Sequence, residues 1–164
     1  MENKIRYPLS NKLPVEEKGI FNTQDFKEIY YRIDAISPNA ERQWGKMNVV
    51  QMLNHLKVAM GSSLDVYLLK DESVFIFSQV VKFLVLRILK RFPKDSKTVE
   101  GFKMEMNNTL DFNTEKQAVL TMLQKAHLSA SKTYVHPFFG TMSKTEWGKL
   151  VYLHFDHHLR QFGS

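Results

Sequence analysis

Apolar residues recur at three- and four-residue steps along most of the chain, the period of helices that bury one face. The first run begins at Thr23: Phe26, Ile29, Tyr30, Ile33 and Ile36 share a face, and Ser37-Pro38 ends it. Residues 1–21 hold Pro8 and Pro14 without a sustained period and read as an extended lead-in lying over the bundle. A polar connection, Asn39 to Lys46, leads to Asn48, an N-cap residue with Gln51 three positions later, as in a capping box. The second helix is expected from about Val49 to Asp65, with Val49, Met52, Leu53, Leu56 and Met60 inward and His55 on the flank of that stripe.

The stretch Ser73 to Arg91 is the most apolar of all. Gln79, Lys82 and Arg87 interrupt it, so its uninterrupted runs are far too short for a membrane span. Phe77, Val80, Val81, Leu84 and Ile88 form one stripe, with Phe83, Leu86 and Leu89 outside it. A helix apolar on two sides needs two partners; one face is expected on the bundle and the other over a site or against a second subunit. A basic amphipathic helix lying on a membrane is the runner-up, disfavoured by the all-round hydrophobicity. Pro93 ends this helix, an exposed loop runs to Gly101, and Phe102 to Phe112 has no decided period.

Asn113 reads as the N-cap of the next helix, with Ala118, Val119, Met122, Leu123, Ala126 and Ala130 inward and His127 structural or exposed. The aromatic-rich Tyr134 to Gly140 follows, where Pro137 biases His136 away from helical geometry and Phe138 and Phe139 are expected to plug the bundle end. Ser143 and Glu146 then form a capping box for the last helix, Ser143 to Phe162. On it Trp147, Leu150, Val151, His154, Phe155, His158 and Phe162 share one face.

His154 and His158 are four residues apart, so their rings stack on consecutive turns about 40° apart around the axis. His157 lies about 80° from the centre of the face, which favours the pair His154–His158. Burying two imidazoles without partners costs on the order of 1–3 kcal/mol each, so a metal ion, a hydrogen-bond network or water must satisfy them. With His55 from the second helix, three neutral imidazoles could hold zinc or a similar divalent ion and leave a position open. Three nitrogens without a thiolate suit zinc, nickel or iron alike. The residues leave a metal site and a set of buried structural histidines both open. The general base of a His-Glu-Xaa-Xaa-His site is missing, and Asp156 points to the opposite face.

Composition narrows the surroundings. The chain has 164 residues, enough for one domain spanning residues 1–164 with a continuous core. It contains no cysteine, which excludes disulfides, thiolate metal sites and cysteine nucleophiles. The N-terminus lacks the apolar core of a secretory signal, so a cytoplasmic location is expected. The net charge of +6 is spread along the chain and reads as a solvated surface, with no motif for specific nucleic-acid binding.

Three segments taken together resemble a known group: Trp-Gly-Lys-Met-Asn-Val-Val-Gln-Met-Leu-Asn-His-Leu at 44–56, His-Pro-Phe-Phe-Gly at 136–140, and Glu-Trp-Gly-Lys-Leu at 146–150 with His-Phe-Asp-His-His-Leu-Arg-Gln-Phe-Gly at 154–163. They are similar to the DinB/YfiT-like superfamily of metalloenzymes, and more narrowly to an uncharacterised bacterial branch of it. The resemblance implies an all-α, antiparallel four-helix bundle, with the apolar 73–91 helix as an addition in the long crossover connection. It implies a metal triad of His55, His154 and His158, usually with zinc or nickel, and frequent homodimers. Characterised members include transferases of low-molecular-weight thiols, a thiol-dependent isomerase and proteins regarded as hydrolases.

Two functions follow as expectations. The first is a metal-dependent thiol transferase or hydrolase acting on a small molecule, with His136 as a group beside the metal or on the substrate side. The second is a non-catalytic stress or interaction protein in which the histidines, with or without metal, pin two helices together. DNA association, suggested only by charge and by the superfamily's naming, is the weakest idea.

Overall fold

In a computed structural model, the described residues are 17–63, 75–88, 91–94, 110–136 and 139–164. Outside them fall the lead-in before residue 17, the predicted end of the second helix at Asp65, Leu89, most of the loop to Gly101, nearly all of Phe102 to Phe112, and Phe138. The side chain of Phe77 is likewise not described. The chain is mostly helical: α1 (Thr23–Ala35), α2 (Val49–Ser63), α3 (Phe75–Phe83) continuing into a π-helical turn (Leu84–Ile88), α4 (Phe112–His127) and α5 (Lys144–Gln161). A short antiparallel hairpin, β1 (Thr133–His136) and β2 (Gly140–Ser143), precedes α5, so the expected all-α architecture gives way to helices with a two-stranded sheet.

Local chemistry explains where the helices begin. Asn22 caps α1 by accepting from the Gln24 and Asp25 amides. Asn48 and Gln51 bond each other's backbone amides reciprocally at 2.9 Å, and Ser143 with Glu146 does the same ahead of α5. The cap of α4 is Asp111, two residues earlier than the expected Asn113; its carboxylate accepts from the Thr114 amide and hydroxyl. Asn113 thus falls within the first turn. The Tyr134–Gly140 stretch pairs because Tyr134 and Met142 face each other in register on the inner side, both buried, while Val135 and Thr141 face out.

The core forms where the stripes meet. Ile29 and Ile33 of α1, Met52, Leu53 and Leu56 of α2, Leu123 of α4, and Trp147, Phe155 and Leu159 of α5 are closed to solvent or nearly so. Helix α2 lies along α4, and a buried carboxylate joins them: Glu115 takes the Lys57 ammonium at 2.6 Å and the Asn54 amide at 2.9 Å. Helix α1 touches both α4 and α5, tied to α5 through Arg32–Asp156 and Glu28–Tyr152. The expected inward Ala130 lies beyond α4 and is exposed.

Two stripes need correction. On α3 and its π-helical continuation, Val80, Leu84 and Ile88 face outward with Phe83, whereas Val85 and Leu86 are buried and Val81 packs on the core from its edge. Val80, Leu84 and Ile88 thus keep a common face, but it is the outer one, and the core takes Val85 and Leu86 instead. Helix α5 is enclosed on nearly every side: Tyr152, Leu153, His157 and Gln161 are buried as well as the predicted face.

Candidate metal centre

Helix α2 contributes His55 and α5 contributes His154 and His158. The three rings stand edge to face with centroids 4.8–5.0 Å apart, a nearly equilateral triangle. Their Nε2 atoms converge: His55 to His154 is 3.0 Å and His158 to His154 is 3.1 Å. All three possible ligand atoms lie within 4.8 Å of one another. His55 and His158 are buried, and His154 retains part of its surface.

Burial dominates the electrostatics. It pushes His154 well below its ordinary pKa, reinforced by His158, His55, His157 and His136. Burial, followed by the neighbouring His55, takes His158 down to about 3. At neutral pH both rings are uncharged, the form in which imidazole offers a lone pair. Tetrahedral bonds of 2.0–2.1 Å place nitrogens about 3.3 Å apart, close to the 3.0 and 3.1 Å that separate His154 Nε2 from the Nε2 atoms of His55 and His158. The donor set also fits: three imidazoles, with no carboxylate grouped with them among the described residues.

A model of the family described as "Protein of unknown function (DUF1569)" matches residues 17–164. The chain belongs to the DUF1569 family. No curated protein and no solved structure matches it. In this DUF1569 chain all three histidines fall inside the matched residues, on the two helices from which the spacing drew them.

The other histidines take different places. His157, placed about 80° from the centre of the apolar face by its spacing, is nonetheless buried and bonds the backbone of Phe92. Its ring is edge-on to His158 at 4.9 Å, and its Nδ1 has no partner. Burial is the first cause of its lowered pKa. Phe92 in turn sets its ring edge-on to His154 and His157, at 6.4 and 6.0 Å, so the chain emerging from the apolar α3 segment lies beside the histidines. The sequence marks Phe92 only as the residue before Pro93.

His136 ends β1, where its Nδ1 accepts from the Phe139 amide at 3.1 Å and its ring stacks on Phe139 at 4.8 Å. An accepting Nδ1 leaves the proton of a neutral ring on Nε2, and burial lowers the pKa to about 4. His136 is thus a neutral ring with its proton on Nε2 at neutral pH. The hairpin turn is fastened to α3 by Gln79 to the Phe139 carbonyl at 3.2 Å and Lys82 to the Thr141 carbonyl at 3.0 Å. His127 has a packing role: it stacks on Phe26 at 4.1 Å and bonds the Ile20 carbonyl at 2.7 Å.

Proposed function

We propose that this DUF1569 protein is a metal-dependent enzyme, with His55, His154 and His158 holding one divalent ion, zinc or nickel. The convergence of three imidazoles from two helices, with His154 Nε2 within 3.1 Å of the other two Nε2 atoms, carries this reading. The helical order and the histidine positions also support the DinB/YfiT-like resemblance, with a four-helix core of α1, α2, α4 and α5 and α3 added in the long connection. The reading takes residues 1–164 as one domain.

A divalent ion in this triangle would acidify a thiol or a water brought to it, making a nucleophile available near neutral pH. The protein's own part is to hold three lone pairs in place, keep the rings dry, and present the donor Nε2–H of His136 on the substrate side. Thiol transfer from a low-molecular-weight thiol is the preferred reaction, and hydrolysis is the alternative. Phe92 would form an apolar wall against the bound molecule. The exposed row Val80, Phe83, Leu84 and Ile88 is where a second copy would pack in a homodimer.

Screening zinc- and nickel-loaded protein for thiol transfer to electrophiles and for ester and amide hydrolysis tests the reading. Turnover that disappears in His154→Ala is expected; metal-loaded protein inert to every class contradicts it. One observation favours the non-catalytic alternative: a proton on His154 Nε2 can be shared between His55 and His158, satisfying the triangle without a metal and pinning α2 to α5. That alternative predicts lost stability in His55→Ala with no turnover to lose.

A further inference from the structure

The last turn of α5 carries a buried amide with both ends committed. Gln161 donates from Nε2 to the Trp44 carbonyl at 2.9 Å, and its Oε1 lies 2.9 Å from His158 Nδ1. A carbonyl can only accept, so the Trp44 oxygen fixes which end of the amide faces it. Oε1 must then face His158, and the neutral ring must carry its proton on Nδ1. The lone pair is left on Nε2, the atom 3.1 Å from His154.

The turn before α2 is shaped around this amide. The Gln43 amide donates to the Gln161 backbone carbonyl at 2.7 Å. Gly45 has φ +78°, and a Cβ added there would collide with Gln161 Nε2. Glycine at 45 thus meets two demands, a left-handed backbone and close passage of the Gln161 side chain.

We propose that Gln161 is a positioning residue for the metal centre: held by the Trp44 carbonyl in the turn 43–45, it locks His158 in the Nδ1–H tautomer and aims Nε2 into the triangle. The proposal rests on the metal reading above and adds a specific device to it. Partners of this kind on the far nitrogen of a ligating histidine fix ring orientation and raise ligand basicity.

Two measurements test it. In metal-free protein, long-range ¹H–¹⁵N correlation of the imidazoles should show His158 protonated on Nδ1, with this preference lost in Gln161→Met. In Zn²⁺ competition against a chromophoric chelator, Gln161→Met should bind roughly 10–100-fold more weakly than wild type, whereas Gln161→Glu, which keeps an acceptor for His158, should stay within about threefold. Gln161→Glu should nonetheless lower the metal-free melting temperature, because its carboxylate cannot donate to Trp44. Gly45→Ala should weaken Zn²⁺ binding in the wild-type background and much less in the Gln161→Met background. Equal Zn²⁺ binding by wild type and Gln161→Met, equal losses in the Met and Glu variants, or His158 protonated on Nε2 overturns the proposal. A wild type that binds no Zn²⁺ instead brings down the metal reading itself, and this proposal with it.

Discussion

His154 is the hub of the triangle, because its Nε2 approaches both other histidines. Replacing it with alanine removes the shared vertex, and Zn²⁺ affinity should fall by on the order of 100-fold or more in chelator competition. Protons should act on the same residues through stability. In the folded chain His136 and His158 have pKa values of about 4 and about 3, His154 and His157 are also lowered, and the ordinary value is 6.5. The unfolded chain therefore binds more protons as pH falls from 6.5, and the stability that these neutral rings confer above 6.5 is progressively lost toward pH 3–4. Urea midpoints of metal-free protein should start to decline near pH 6.5, above the range where carboxylates titrate. A midpoint flat down to pH 4.5 would contradict the burial of these rings.

At the scale of elements, the capping boxes offer a control separating fold from site. Ser143 begins α5 about three turns before His154, so Ser143→Ala should cost about 1 kcal/mol in denaturant titration and leave Zn²⁺ affinity unchanged. Both boxes were legible in the sequence because they are local, as were the inward positions of α2, all five of which are buried. The face of α3 was not, because Val80, Leu84 and Ile88 stay together on one side while tertiary contacts chose Val85 and Leu86 for the core. The hairpin escaped the sequence because its two strands are only four residues each, too short for a distinct alternation. His154 and His158 could be paired from helical spacing alone, whereas Gln161 acquires its meaning only from Trp44, a partner 117 positions away. The burial of His157 was hidden for a related reason: its cover is Phe92, delivered by a distant segment.

For the whole molecule, α2 and α5 are brought together at their histidines while each leans mainly on other elements, α2 on α4 and α5 on α1 and the hairpin. An ion joining His55 to His154 and His158 would cross-link these two groups and stabilise the fold by mass action. Free Zn²⁺ at about 100 times its dissociation constant adds roughly 2.7 kcal/mol, which should raise the melting temperature by roughly 5–11 °C. Chelation should reverse the rise, and His55→Ala should abolish it. Among the described residues no helix is long and apolar enough to cross a membrane. Elemental analysis after reconstitution with Zn²⁺ or Ni²⁺ and removal of excess ion tests the central claim most directly. One equivalent of metal per chain in wild type, absent from the His154→Ala/His158→Ala double variant, is the predicted result; no bound metal in wild type, or the same metal content in the double variant, would contradict it.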